Sequence, residues 1–307
     1  MMFWKKLFLP KPFNSDFFPE KDGHRVYFEE YGNKSGKPVI VFHGGPGGRM
    51  KPMRVESINL KKYRVIFFDQ RGCGKSEPSG ELKHNTTQAL LDDVSRLVSL
   101  LKIQEKIILW GASWGSTLAL LWAEQNPQKV DKLLLSQVFL ANEDSKNWEF
   151  GGTCYIYPEF VDFMAKEACG NITSYYNDLI QSNDAKKQLQ AANVFGWYER
   201  VCGSMEPQFN NMEELSEADL ASYRIYMHYA VNDFFLRKNQ ILDDIDTIKD
   251  VETLMIHNRL DLICPYKGAF DVQQHLKNSK LIVVPDFGHV SKKLIKVIRK
   301  EISKVLS

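Results

Sequence analysis

The sequence predicts an α/β fold in which a mainly parallel, doubly wound sheet is interrupted by a mostly helical insertion. Three observations lead to this prediction: short continuous apolar runs towards both ends of the chain, segments of helical periodicity between them, and a middle stretch without strand-like runs. With 307 residues, the chain is long enough for about two domains of roughly 150 residues, or for one large unit with an insertion.

The predicted strands are apolar runs that end at turn residues. Because these runs are continuous instead of alternating, they are typical of strands buried on both faces of a sheet. The runs are 26–28, 38–42, 63–68, 107–110, 130–135, 253–257 and 280–284. Helical spacing predicts helices at 86–101, 114–125, 268–276 and 291–306. Strands that alternate with helices in this way predict a doubly wound sheet.

The middle of the chain is polar, helical in period and rich in aromatic residues. We therefore predict a body formed by residues 1–140 and 247–307. It is interrupted by a helical domain at 141–246, called the cap segment below.

Composition limits the classes of protein and partner. Hydrophobic residues make up 44% and charged residues 25%, which excludes a disordered chain, a collagen and a coiled coil. The net charge of +2 provides no electrostatic footprint for nucleic acid or an anionic membrane, so neither partner is expected. No stretch approaches about 18 uninterrupted apolar residues. The apolar run around Phe3 and Trp4 is too short for a signal peptide, and we expect it to pack on the protein itself.

The five cysteines are scattered and form no CxxC pattern. This arrangement argues against a disulfide framework and a zinc site, and it predicts reduced thiols in a cytoplasmic protein. The segment 72–76 resembles the end of a phosphate-binding loop, but Asp69 stands where its first glycine is required. We therefore expect no metal and no cofactor.

The sharpest motif is the GxSxG segment 111–115, which follows a predicted strand and opens a predicted helix. This is the context of a nucleophile elbow, where a strained turn presents the serine and needs small neighbours at Gly111 and Gly115. The helix dipole at Ser113 favours developing negative charge. Ser113 is therefore the predicted nucleophile.

A glycine-rich loop, HGGPGG at 43–48, follows the strand 38–42. Glycines allow backbone N–H groups to approach a reacting carbonyl closely. In hydrolases of this layout, one oxyanion donor follows the nucleophile and the other comes from such a loop. We predict the N–H groups of Trp114 and Gly45 as these donors, and we expect His43 to order the loop.

A nucleophilic serine needs a base and an orienting carboxylate, which follow it in the chain order acid, then histidine. Asp261 and His289 both follow predicted strands, at the ends where α/β active sites gather. The rival bases are His257, within or at the end of a strand, and His275, inside a helix. The rival acid is Asp286, only three residues before His289.

Taken together, these motifs resemble the prolyl aminopeptidase (proline iminopeptidase) family of α/β-hydrolases. The resemblance runs from near residue 14 to near residue 290, and the pair HGGPGG and DQRGxGxS is more specific than GxSxG alone. The matching stretches are 22–24, 27–30, 43–48, 69–76, 111–116, 258–261 with 264–265, and 284–289. It implies an α/β-hydrolase fold with a helical cap and a triad of Ser113, Asp261 and His289. It also implies release of an N-terminal residue, typically proline, from peptides.

An exopeptidase of this kind must bind a charged terminal amine, which requires a carboxylate. The family motif W-x-x-W-E corresponds here to FGWYE at 195–199, which keeps the glutamate as Glu199. A second family glutamate, in a motif like A-R-I-E-N-H-Y, is replaced by Tyr226. Either Glu199 suffices, or another cap acid such as Glu149 or Asp233 substitutes, or the substrate preference differs.

The predicted site therefore consists of catalytic Ser113, Asp261 and His289, an oxyanion hole at Gly45 and Trp114, and substrate contacts at Glu199, Tyr226, Trp197 and Phe195. The predicted reaction is hydrolysis of a short peptide with a free N-terminus through an acyl-enzyme. One alternative is a serine hydrolase of esters or non-proline amides with the same fold. Another is a non-catalytic binding protein on this scaffold. The oligomeric state is not predicted.

Overall fold

A sheet of eight strands forms the centre of the molecule, counted within residues 10–204 and 215–307, which this computed structural model describes. Phe3 and Trp4 lie outside the described residues. The strands are β1 Asn14–Phe17, β2 Tyr27–Gly32, β3 Lys37–Phe42, β4 Tyr63–Phe68, β5 Ile107–Ala112, β6 Val130–Ser136, β7 Glu252–Leu260 and β8 Ser279–Phe287. Their spatial order is β1-β2-β4-β3-β5-β6-β7-β8.

The sheet is parallel from β4 to β8, whereas β1 and β2 are antiparallel to their neighbours. The seven predicted apolar runs all coincide with strands of this sheet, so the predicted mainly parallel architecture is confirmed. The strand β1 was not predicted, because its sequence NSDF is polar and largely exposed at the edge.

The helices are α1 Thr87–Leu100, α2 Trp114–Gln125, α3 Glu143–Asn147, α4 Pro158–Ala168, α5 Ile172–Ile180, α6 Ala185–Ser204, α7 Glu217–Val231, α8 Gln240–Asp244, α9 Tyr266–His275 and α10 Lys292–Val305. Side-chain caps fix several helix starts. The Thr86 hydroxyl accepts the Ala89 N–H at 3.3 Å before α1, and Ser291 accepts the Leu294 N–H at 3.1 Å before α10. Capping satisfies N–H groups that have no partner within the helix.

Each face of the sheet has its own hydrophobic core, as expected for a doubly wound fold. On one face, α1, α2 and α9 pack against the strands. On the other face, α10 and the 3₁₀ turn Pro52–Ser57 supply the apolar side chains. A third core lies among α4, α5, α6 and α7 of the cap segment.

Between β6 and β7, the described residues form helices joined by loops, and none of them forms a strand. Division of the chain into a body and a cap domain at 141–246 stays our prediction. Among the described residues, the structure contains no helix with the length and apolarity needed to cross a membrane.

Candidate active site

Ser113 lies between β5 and α2 with φ 56° and ψ −130°, a backbone conformation that is strained for any residue except glycine. The tight turn places the serine at the N-terminus of a buried helix. A strained residue that the surrounding structure holds in place is a frequent feature of active sites.

The glycines around Ser113 are required by backbone packing. A Cβ added at Gly111 would lie 2.2 Å from the Gly115 carbonyl oxygen, and one at Gly115 would lie 2.5 Å from the Phe42 carbonyl oxygen. These distances are far below van der Waals contact. The elbow turn therefore needs glycine at both positions, as its sequence pattern predicted.

Asp261 and His289 meet at the ends of β7 and β8. The Nδ1 atom of His289 lies 2.8 Å from Asp261 Oδ2, and the other carboxylate oxygen accepts N–H groups from Ile263 at 3.0 Å and Cys264 at 2.9 Å. Burial opposes the charged imidazolium, but the Asp261 carboxylate outweighs burial and raises the pKa of His289 well above its ordinary value. The aspartate thus orients the imidazole and stabilises its protonated form.

The thiol of Cys264 lies beside both Ser113 and His289. Its Sγ atom is 3.8 Å from the Ser113 hydroxyl oxygen, and it also hydrogen-bonds with His289. Burial raises the pKa of Cys264 and so favours its neutral form, while the neighbouring His289 acts in the opposite direction. No direct Ser113–His289 hydrogen bond is formed within the described part of the chain. Hydrogen bonds of this kind are often long without substrate and tighten in the complex.

The rival acid and bases have other partners. His257 accepts the Val138 N–H at 3.1 Å through Nδ1 and donates to the Cys264 carbonyl at 2.8 Å through Nε2, and burial lowers its pKa. Asp286 accepts the hydroxyl of Ser291 at 2.6 Å. His275 is exposed at the end of α9. His257 also lies behind the predicted acid, with Nε2 3.6 Å from Asp261 Oδ2, but its ring nitrogens are occupied by the backbone contacts.

The glycine loop runs directly beside the serine. A Cβ added at Gly44 would lie 3.3 Å from the Cβ of Ser113. Gly45 has φ +128°, which favours glycine. His43 orders this loop as expected, since Nδ1 donates to the Gly44 carbonyl at 2.8 Å and Nε2 accepts the Gln70 N–H at 3.0 Å. The oxyanion donors Gly45 and Trp114 stay a prediction.

Gln70 connects the two halves of this arrangement and was not singled out from the sequence. Its amide nitrogen donates to the His43 carbonyl at 3.0 Å, and its amide oxygen accepts the indole N–H of Trp114 at 3.0 Å. The glycine loop and the elbow are therefore held together by one buried side chain. The sequence signal that could have indicated Gln70 was its position in the DQRG stretch, but the sequence assigned no role to that stretch.

A cavity of about 690 Å³ contains Ser113 and His289 and extends beneath the cap segment. Glu149, Glu199 and Tyr226 line it from the cap side. Apolar walls are supplied by Phe139, Phe234, Leu262 and Ile263. Two sequence-predicted substrate residues, Glu199 and Tyr226, therefore share a cavity with Ser113 and His289.

Phe195 and Trp197 do not line this cavity, which corrects the prediction that they contact the substrate. Phe195 is completely buried, and Trp197 packs edge-to-face on Phe160 with ring centroids 4.6 Å apart. Both belong to the core of the cap segment. On α6, Trp197 lies two positions from Glu199 and therefore faces another direction. Phe195 lies one turn before Glu199 on the same helix face, but it packs against the ring of Tyr226 with centroids 5.1 Å apart instead of reaching the cavity.

Two carboxyl groups face the cap side of the cavity. The Tyr226 hydroxyl donates to Glu149 Oε1 at 2.6 Å, and burial raises the pKa of Glu149 to about 7. Burial also raises the pKa of Glu199, while a hydrogen bond with Tyr223 and the nearby His289 partly offset that effect. Neither carboxylate forms a salt bridge with a side chain in residues 10–204 or 215–307.

Asp233, the other acid considered from the sequence, forms an exposed ion pair with Lys146 at 2.6 Å. It is not part of the cavity wall. Of the two substitutes considered for the missing family glutamate, the structure therefore brings Glu149 to the cavity and leaves Asp233 outside.

Comparison with known proteins agrees with this geometry. A family model described as the alpha/beta hydrolase fold matches residues 37–168, and one described as TAP-like protein matches residues 234–304. A proline iminopeptidase of Arabidopsis thaliana is 35% identical over 295 residues, which cover 93% of this chain and 77% of that protein. The proline iminopeptidase of Neisseria gonorrhoeae is 34% identical over 288 residues, covering 92% of each chain.

Solved structures with the same fold include a proline iminopeptidase of Mycobacterium smegmatis, with a TM-score of 0.62 at 21% identity over 95% of this chain and 97% of that chain. The structure of VinJ has a TM-score of 0.67 at 19% identity over 96% of this chain and 98% of that chain. At these identities, the structural likeness shows the fold alone. The sequence relatives show more, and the chain belongs to the proline iminopeptidase family of α/β-hydrolases.

Proposed function

We propose that this protein is a serine exopeptidase that releases an N-terminal residue, preferably proline, from short peptides. The observation that carries the proposal is the strained Ser113 beside the Asp261–His289 pair, in a cavity that also contains two partly buried carboxyl groups. A nucleophile with its base supplies acyl-transfer chemistry, and unpaired carboxylates supply recognition of a cation.

In the proposed reaction, Ser113 Oγ attacks the carbonyl carbon of the N-terminal residue while His289 takes the hydroxyl proton. The N–H groups of Trp114 and Gly45 stabilise the oxyanion. His289 then gives its proton to the leaving amine, and the acyl-enzyme forms. Water, deprotonated by His289, attacks the acyl carbon; the bond to Ser113 Oγ then breaks, His289 returns the proton to Oγ, and the free amino acid leaves. Asp261 holds the imidazole in the productive tautomer throughout.

Recognition of the terminal amine is the second part of the proposal. Glu199 accepts hydrogen bonds from the ammonium group. Glu149 supplies the second negative charge, because Tyr226 stands in place of the second family glutamate and is uncharged. The hydroxyl of Tyr226 fixes the orientation of Glu149 at 2.6 Å. A bound ammonium favours the ionised form of both carboxyl groups and so lowers the pKa values that burial has raised.

A specific observation also favours a second candidate, the hydrolysis of esters or non-proline amides. Burial raises the pKa of Glu149 to about 7, so without a cation this group is only partly ionised at neutral pH. An amine-free ester would not need that charge. Comparing proline amides with amine-free esters of the same leaving group separates the two candidates.

The test of the nucleophile is Ser113→Ala, assayed with proline-linked chromogenic amides and with a serine-reactive fluorophosphonate. We expect activity to fall by at least about 10³-fold and labelling to disappear. The matched control is Ser99→Ala, at an exposed position of α1, which should keep both the activity and the labelling. Activity that survives in Ser113→Ala would refute the nucleophile, and failure of wild type to be labelled would favour a binding protein.

We also propose that the protein works in the cytoplasm without a nucleic-acid or membrane partner. The five cysteines are all free thiols, which suits a reducing compartment. The net charge of +2 supports the absence of a polyanionic partner.

A further inference from the structure

The cavity beside Ser113 has a basic wall as well as an acidic one. Arg49, Lys51 and Arg54 line it from the loop that continues beyond Gly45 into the 3₁₀ turn Pro52–Ser57. This wall lies towards the core formed with α10, whereas the carboxyl groups belong to the cap segment.

Among the described residues, no ion pair joins Arg49, Lys51 or Arg54 to Glu149 or Glu199. The charged groups that lower the pKa of Lys51 after burial are Arg54 and Arg49. The charged group that acts on the pKa of Glu199 is His289, and the one that acts on the pKa of Glu149 is Glu199. Because no ion pair joins the two walls, each of them can bind an opposite charge on a ligand.

Arg54 is the best-defined member of the basic wall. Its guanidinium lies over the Trp110 ring at 5.2 Å from the centroid, and its Nη1 atom is buried without a hydrogen-bond partner in the described residues. Burial lowers the pKa of Arg54 to about 10. A buried guanidinium donor without an acceptor is costly, and a carboxylate is the acceptor that fits it best.

The backbone holds this basic loop in place. The Met50 N–H, between Arg49 and Lys51, donates to Asp69 Oδ1 at 2.7 Å. The Arg54 N–H donates to the Lys51 carbonyl at 3.1 Å. Among the described residues, Lys51 and Arg54 form no salt bridge, while Arg49 acts at longer range on Asp219.

We propose that this basic wall binds the free C-terminal carboxylate of the leaving peptide, so that the enzyme selects dipeptides and tripeptides. This inference rests on the proposed function, because the ammonium at the cap carboxylates fixes the substrate's direction. With the scissile carbonyl at Ser113, the leaving group extends away from those carboxylates. Each added residue spans at most about 3.6 Å, so only a short leaving group ends within the cavity.

The test compares the hydrolysis of Pro-Ala with that of Pro-Ala amide, which lacks the terminal charge. We expect wild type to prefer the free acid by about tenfold or more in kcat/KM, mainly through KM, as for a charge-assisted hydrogen bond. In Arg54→Gln and in Lys51→Gln/Arg54→Gln, this preference should approach unity while the rate on the amide stays within about threefold. The exposed Lys106→Gln controls for the change in net charge and should keep the preference.

Each outcome decides a separate point. Equal kcat/KM for the acid and the amide in wild type would overturn the inference and leave the proposed function intact. Cleavage of neither peptide would overturn the proposed function itself. Pro-Glu amide tests the source of the carboxylate. If it is cleaved as well as Pro-Ala, the wall binds an acidic side chain and the assignment to the C-terminus is wrong. Retained amide hydrolysis shows that the variants are folded.

Discussion

At the scale of single residues, the main departure from the family pattern is Tyr226. A phenol occupies the position of a family glutamate, and its hydroxyl donates to the carboxylate of Glu149 on a different segment of the cap. In our proposal, Glu149 supplies the negative charge that a tyrosine at position 226 lacks, once a bound ammonium favours its ionised form. The sequence predicted Glu199 from a motif and offered Glu149 as one of two possible substitutes, but no local motif could distinguish Glu149 from Asp233, because Glu149 and Glu199 come from distant parts of the sequence.

Glu149→Gln should weaken hydrolysis of proline amides by about tenfold or more while leaving amine-free esters within about twofold, since only the former carry an ammonium. The control is Glu167→Gln, an exposed glutamate on α4. Steady-state kinetics on both substrate classes measure the split. An equal loss on the esters would contradict a role in amine recognition.

The same Glu149→Gln substitution should stabilise the unliganded protein. Burial raises the folded-state pKa of Glu149 from 4.5 to about 7, so the folded state binds a proton more tightly than the unfolded state. This contribution to stability is fully present below pH 4.5 and is lost as pH rises through about 7. The melting temperature of the variant should therefore exceed that of wild type by about 2 °C or more at pH 8, with no gain at pH 4. Equal melting temperatures of the variant and wild type at pH 8 would contradict the predicted cost of burying the ionised Glu149.

His289 determines a second pH effect. The Asp261 carboxylate outweighs burial and raises the pKa of this imidazole, and only the neutral form acts as the general base. Activity on an amine-free ester should therefore fall as the pH decreases, with a midpoint clearly above the ordinary 6.5 of histidine. An ester isolates His289, because it does not need the ionised Glu149 or Glu199. A kcat/KM profile with a midpoint at or below 6.5 would contradict this assignment.

At the scale of elements, the unit β5–turn–α2 depends on glycines packed against backbone. Gly115→Ala would bring a Cβ to 2.5 Å from the Phe42 carbonyl oxygen, so β3 and α2 must move apart. We expect a loss of about 1–3 kcal/mol in the free energy of unfolding and a large loss of activity. Urea denaturation measures the loss in the free energy of unfolding. The control is Gly151→Ala, because a Cβ added at Gly151 has no neighbour within 4 Å. A neutral Gly115→Ala would contradict the steric account.

The sequence predicted best those elements that are buried on both faces, because burial makes nearly every residue of the local sequence apolar. The runs 38–42 and 63–68 are β3 and β4 almost residue for residue, because both faces of these strands are covered. The edge strand β1 has no such pattern and was missed. The aromatic residues of α6 were predicted to be helical, but which of them face the cavity depends on packing against α4 and α7, which periodicity does not contain.

At the scale of the whole molecule, the cap segment contributes side chains to the hydrophobic core of the body as well as to its own core. The helix α7 places Ile225 and Tyr229 in the core of the body and Met227 in the core of the cap. The backbone adds a direct link, since the His289 N–H donates to the Gly203 carbonyl at 2.6 Å. The position of the predicted base is therefore coupled to the cap helix that carries Glu199.

This shared packing predicts that cap and body unfold together. Tyr229 is completely buried, packs edge-to-face on Trp114 at 5.3 Å and donates to Asn85 at 2.9 Å, so it joins α7 to the elbow and to the start of α1. Tyr229→Ala should lower the free energy of unfolding by about 3 kcal/mol or more. The control, Tyr155→Ala, removes a side chain that is 86% exposed and should change it little. Far-UV circular dichroism and tryptophan fluorescence should give one coincident transition in wild type. Two separate transitions, with fluorophosphonate labelling lost in the first, would instead show that the cap unfolds independently of the body.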